Sequence, residues 1–106
     1  MHFSKSDVVL LPIPFSDLSS TKVRPAIVIG HGSTGSDLFL VPITSRLKNG
    51  DITLSGWQSC GLNVPSAVKG QLATVESQLV LKIVGRLSAD DTATLDGKLR
   101  EWLELD

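Results

Sequence analysis

Acid–base, nucleophilic and metal chemistry each need particular side chains at particular spacings, and this chain of 106 residues carries few that qualify. A His/His acid–base pair would require His2 and His31, but the first stands at a fraying terminus and the second in a glycine-rich turn. Cys60 is the single cysteine, with no Cys or His at metal-ligand spacing and no identified base, so a buried, reduced thiol is the simpler reading. No metal site is expected. The segment Gly30-His-Gly-Ser-Thr-Gly35 has the glycines of a phosphate cradle without the lysine of a P-loop, and reads as a hairpin turn. What remains is cationic and hydroxyl chemistry. Arg24, ahead of Pro25 and Ala26, offers a planar fork of donors that suits phosphate oxygens; the plainer alternative is a solvent-facing strand residue. Thr44 ends an apolar run and offers a hydroxyl, which could equally satisfy a turn. Lys22, Arg46, Lys48 and Lys69 are either tracks for a polyanion or solvated loop charges. Ser19 and Ser20 belong to a polar loop that moves over a substrate or simply links two strands. Trp57 would stack on a base or seal the core.

These side chains must be held by short elements. Asp7 to Pro14, rich in Val, Leu and Ile, reads as a first strand whose prolines suggest an edge or a bend. Pro25 to Ile29 and Asp37 to Ile43 read as the second and third, with Gly30 to Ser36 as the turn between them. A short strand at Asp51 to Leu54 precedes an irregular excursion, Ser55 to Asn63. Ser66 to Lys69, Leu72 to Val75 and Leu81 to Leu87 read as further strands. The period then changes. Ser88 and Asp91 have the spacing of a helix N-cap, and Leu95, Leu99, Trp102 and Leu103 form one apolar stripe, with Asp90 and Asp91 in the first turn where the helix dipole favours negative charge. Short strands followed by one terminal helix imply a mainly β fold, a small β-barrel with a C-terminal α-helix, in a single domain over residues 1–106.

Composition narrows the setting. An apolar fraction of 42% and a charged fraction of 20% suit a folded globular chain and not a disordered one. With a net charge of −1 there is no global basic field. The distribution is uneven, however: residues 1–75 carry six Lys/Arg against four Asp/Glu, and residues 76–106 carry four against seven. A polyanion would therefore meet the first two thirds of the chain. The apolar run Val8 to Phe15 is too short to span a bilayer and lacks a cleavage site, so a soluble protein of the reducing cytoplasm, without membrane contact, is expected.

Three segments, in order, resemble the MazF/PemK (Kid) family of toxin endoribonucleases from type II toxin–antitoxin systems. They are Asp7-Val-Val-Leu-Leu-Pro-Ile-Pro-Phe-Ser-Asp17, Lys22-Val-Arg-Pro-Ala-Ile-Val-Ile29 and Val41-Pro-Ile-Thr-Ser45. Weaker similarities follow at Ile52 to Gly56, Gly61 to Ser66 and Lys82 to Ser88, so that the resemblance spans nearly the whole chain. It implies metal-independent cleavage of single-stranded RNA without a cofactor, through the ribose 2′-hydroxyl. The products would bear 2′,3′-cyclic phosphate and 5′-hydroxyl ends, and translation and growth would stop. Arg24 and Thr44 receive the central catalytic roles by this resemblance, and Ser19, Ser20, Lys22, Arg46, Lys48 and Gln71 are the candidate RNA contacts. Charge stabilisation is the role expected first for Arg24, because an arginine keeps its proton in nearly all settings. One departure stands out: where many members carry an acidic residue, Val68-Lys-Gly-Gln-Leu72 has Gly70 and Gln71, which bears on substrate preference. The resemblance also implies that the barrel is SH3-like, of the CcdB type, and it implies a homodimer, a cognate antitoxin with an acidic tail, and contact with operator DNA only through that antitoxin. The alternatives are a gyrase poison of the CcdB type and a non-catalytic, antitoxin-binding member of the same fold.

Overall fold

The computed structural model describes residues 2–13 and 22–106. The elements are β1 (Asp7–Ile13), β2 (Lys22–His31), β3 (Asp37–Thr44), β4 (Ile52–Thr53), β5 (Ala67–Val68), β6 (Ala73–Glu76), β7 (Lys82–Arg86) and α1 (Ala89–Trp102). Single 3₁₀ turns lie at Leu47–Asn49 and Ser77–Leu79. The sheet order is β4-β5-β3-β2-β1-β7, with β6 also paired to β3, and every pairing is antiparallel. The fold is mainly β with one terminal helix, as expected, but among the described residues the sheet is open and does not close into a barrel. The segment 55–63, short of the β-branched residues a strand favours, packs against β7 instead of adding a strand.

Strand alternation accounts for the core. Val8, Ile27, Val41 and Ile43 face one way, into a cluster with Ile52, Leu54 and Leu95. Val9, Leu11, Ala26, Val28, Leu38 and Leu40 face the other way, into a second cluster with Phe3 and Val80. Because β1, β2 and β3 bury both faces, they are continuous apolar runs and not an alternation of apolar and polar residues.

β1 is an interior strand, which excludes the edge position, one of the two alternatives its prolines suggested; Pro14, at the end where a bend was the other, lies outside the described residues. It pairs with β2 along Val8 to Ile13, but with β7 only from Asp7 to Leu10. Pro12 lies past the end of the second ladder, where a missing N–H breaks nothing. β2 runs on through His31, which takes that residue out of the expected turn; the His31 Nε2–H donates to the Phe3 carbonyl at 2.8 Å.

The Ser88 cap forms as expected: its hydroxyl accepts from the Asp91 N–H at 3.1 Å. Leu95, Leu99 and Trp102 pack onto the first cluster. Leu103 does not share that stripe. It caps the helix and is 49% exposed, because the final turn overruns the core. Among the described residues no helix is long and apolar enough to cross a membrane.

Candidate functional site

The site begins with a proline. Leu10 of β1 stands opposite Pro25 of β2, and the Leu10 carbonyl accepts from the Leu81 N–H at 2.8 Å, so the backbone groups of Leu10 point away from β2. In antiparallel pairing this turns the backbone of Pro25 toward β3, the side on which it has no N–H to give. The β2–β3 ladder accordingly stops at Ala26 opposite Pro42. Beyond that point β3 turns to β5 instead, through Ile43 with Val68 and Thr44 with Ala67. The two strands part, and a cleft opens between them.

Counting the same register two residues further brings Arg24 and Thr44 to matching positions, on the face that carries Ala26, Val28 and Leu40 in the core. Both side chains line the same cleft, of about 280 Å³, together with Arg46, Asn49, Lys69 and Gln71. Arg24 and Arg46 are exposed; Lys69 and Thr44 are half-buried. The cleft is thus lined by three cations and, among the described residues, by no carboxylate. The nearest acidic side chain in sequence, Asp51, accepts from the Gly70 N–H at 2.7 Å. Thr44 also does what a strand-terminal threonine does in a turn, since its Oγ1 accepts from the Arg46 N–H at 3.1 Å. That bond occupies an acceptor lone pair and leaves the hydroxyl proton free to donate.

The candidate contacts divide. Arg46 and Gln71 meet Arg24 and Thr44 at the cleft. Lys48, on the 3₁₀ turn, and Lys22, at the start of β2, are exposed and line neither this cleft nor its neighbour. Ser19 and Ser20 lie outside the described residues. Asn49 also lines the cleft and was not among the expected contacts; Lys69, weighed from the sequence as a polyanion track or a solvated charge, enters because its backbone N–H donates to the Pro42 carbonyl at 3.0 Å, which draws residue 69 to the end of β3. No spacing in the sequence signals that contact. Neither histidine lines either cleft.

A second, larger cleft of about 620 Å³ adjoins the first, and Arg24, Ile43 and Ser45 line both. Its far wall comes from Leu62 and Asn63 at the end of the 55–63 excursion, from Val64 just after it, and from Lys82 and Ile83 of β7. Lys82 shows that the cationic surface is not confined to the first two thirds of the chain.

That wall is anchored by α1. The Asp91 carboxylate is 3% exposed, and it accepts from the Ser55 N–H and hydroxyl, each at 3.0 Å, and from the Gly56 N–H at 2.8 Å. Burial by itself would raise the Asp91 pKa. The bonds from Gly56, Ser55 and the Ser88 hydroxyl outweigh it and hold the group below the usual carboxylate range. Two glycines allow the far end of the excursion to meet β7 backbone to backbone: a Cβ on Gly61, whose φ is +92°, would strike the Val84 carbonyl, and one on Gly85 would strike that of Cys60. Cys60 is fully buried there, its thiol pushed up by burial and by the Asp91 charge, which makes it inert as a nucleophile. Trp57 packs on the core.

The remaining acidic residues of the C-terminal third face elsewhere. Asp96 pairs with Lys5 at 2.8 Å, and none of the carboxylates of α1 lines either cleft.

Comparison with curated proteins returns no match. A family model described as "PemK-like, MazF-like toxin of type II toxin-antitoxin system" matches residues 4–103, which takes in every strand, both clefts and the helix. With its whole fold inside that match, the chain belongs to the PemK-like, MazF-like toxins of type II toxin–antitoxin systems.

Proposed function

We propose that this toxin is a metal-independent endoribonuclease that cuts single-stranded RNA at the cleft between the ends of β2 and β3, in the cytoplasm. The observation that carries the reading is the convergence of Arg24, Thr44, Arg46 and Lys69 on one open cleft that holds no carboxylate among the described residues. Such a lining suits a phosphodiester and the further negative charge that a phosphorane acquires. In the reaction the ribose 2′-oxygen attacks the adjacent phosphorus, the bond to the 5′-oxygen breaks, and the 2′-proton leaves as the 5′-oxygen takes one up. The products are a 2′,3′-cyclic phosphate and a 5′-hydroxyl. Arg24 holds the non-bridging oxygens through its fork of donors and stabilises the charge that builds on them. The free hydroxyl proton of Thr44 donates to the same phosphate, while its bond from Arg46 sets its direction. Arg46, Lys69 and Gln71 bind the RNA on either side.

As a type II toxin the protein has an antitoxin partner. In this reading an acidic antitoxin segment lies across the cationic cleft and displaces RNA, and operator DNA is reached only through the antitoxin. Pairing of two copies is supported by exposed Phe39, Leu72, Leu103 and Leu105, which surround an apolar groove of about 570 Å³ beside α1.

The test is the chemistry of the RNA ends. Purified protein should yield 5′-hydroxyl and cyclic phosphate ends in the presence of a chelator. Arg24→Ala should slow cleavage by roughly 100–1,000-fold, the usual loss when a charge-stabilising donor is removed, with an unchanged circular dichroism spectrum. Equal rates for variant and parent would refute the site. Trapped DNA breaks in place of RNA cuts would establish a gyrase poison.

A further inference from the structure

The larger cleft has no part in the phosphate chemistry, yet it shares Arg24, Ile43 and Ser45 with the cleft that has. A phosphate held by Arg24 stands at their junction, and the base of an adjoining nucleotide is only one sugar away. We propose that the larger cleft is a nucleobase pocket beside the scissile phosphate and that the Asn63 side-chain amide reads the base there. This deepens the nuclease reading and rests on it.

The lining suits a flat heterocycle. Leu62, Val64 and Ile83 supply apolar walls, and Lys82 adds a cation at the rim for a neighbouring phosphate. A single-stranded base needs such apolar faces with hydrogen-bonding groups at its edge. Among the polar side chains present, Ser66 is committed to the protein, since its hydroxyl donates to the Val64 carbonyl at 2.8 Å. Asn63 is the sole side-chain amide in the described lining. It is exposed, and among the described residues none bonds to its amide. An amide offers a donor and an acceptor together, the pair that adenine meets through its amino group and adjacent ring nitrogen.

Asn63 is also presented from a fixed segment. Asp91 holds Ser55 and Gly56, Gly61 abuts the Val84 backbone, and the Leu62 N–H donates to the Trp57 carbonyl at 3.2 Å. An amide on a braced segment discriminates between bases, because a mismatched edge is not accommodated by movement of the loop. The cleft favours RNA over an acidic peptide because, among the described residues, Arg24 and Lys82 are its only cations, and the Asn63 amide and the Ser45 hydroxyl supply neutral hydrogen-bonding groups beside the apolar walls.

The experiment cuts an RNA pool with randomised flanks and sequences the new ends for the parent, Asn63→Ala, Asn63→Asp and Arg24→Ala. The expected result is a preference for adenine at one position beside the cut. Asn63→Ala should flatten it by roughly ten-fold or more while preferences elsewhere persist. Asn63→Asp, which has acceptors only, should shift the preferred base at that position alone. Profiles of both Asn63 variants that superimpose on the parent's overturn the pocket assignment, while loss of cutting in Arg24→Ala keeps the nuclease reading intact. If those unchanged profiles come with toxicity that a co-expressed antitoxin no longer suppresses, the cleft belongs to the antitoxin. A parent that cuts no RNA overturns both readings together.

Discussion

Replacing Asp91 by alanine separates the role of this carboxylate as an anchor from a place at the end of a helix. Three hydrogen bonds reach it from the 55–56 segment, at 3.0, 3.0 and 2.8 Å. Bonds to a charged acceptor contribute about 1.5–3 kcal/mol each when well buried. Ser55 is exposed, so water replaces much of what its N–H and hydroxyl lose, whereas the half-buried Gly56 N–H is replaced less well. A loss of about 3 kcal/mol is therefore expected, which lowers the melting temperature of a domain of this size by roughly 12–24 °C. Denaturant and thermal unfolding at pH 7 measure it. Hydrogen exchange should show the opening concentrated at residues 56–62, leaving β1 to β3 protected. The pH dependence carries a definite sign. The folded carboxyl titrates below the unfolded one, so its contribution is complete above the ordinary carboxylate range and is lost as pH falls through the depressed folded value. Asp91→Ala should lack that component of acid sensitivity. A change below about 0.5 kcal/mol, the range of a neutral surface substitution, or an unaltered acid profile would refute the anchor.

Gly61→Ala should destabilise by about 2–4 kcal/mol, combining a positive φ with a collision at the Val84 carbonyl, whereas Gly97→Ala, with open space at its Cβ, should stabilise α1 by about 1 kcal/mol; denaturant midpoints compare the two. RNA affinity should fall with salt, and Arg46→Ala and Lys69→Ala should each reduce the log–log slope by about 0.7, the value for one contact to a single strand, while Lys48→Ala leaves it nearly unchanged. Titrations of a short single-stranded RNA from 50 to 300 mM salt, on the order of the range where such contacts separate, provide the slopes.

Local rules carried the strands and the helix start a long way. β-branched runs bounded by glycine and polar residues marked β1, β2 and β3, and Ser88 with Asp91 marked the helix N-terminus, because these signals act between near neighbours in the chain. The strand ends were harder: β2 extends to Lys22 and His31 because pairing with β1 and β3 prolongs it past its apolar centre. Leu103 fitted the helical period and still missed the core, since periodicity describes a face and not how far the packing partner reaches.

The amino-acid order alone, through Arg24-Pro-Ala and Val41-Pro-Ile-Thr-Ser45, was enough to point to this toxin family, and it placed a guanidinium and a hydroxyl near two strand ends. Only the tertiary structure decided that they share a cleft, because that depends on Pro25 turning its donorless nitrogen to β3 and on β3 changing partner to β5. The same holds for Lys69, Asn63 and Lys82, brought to the site from distant positions, and for Asp91. In sequence that residue is an acidic group in a first helical turn. In the fold it is the anchor of a cleft wall 35 residues away, an association fixed by long-range hydrogen bonds that no local pattern encodes.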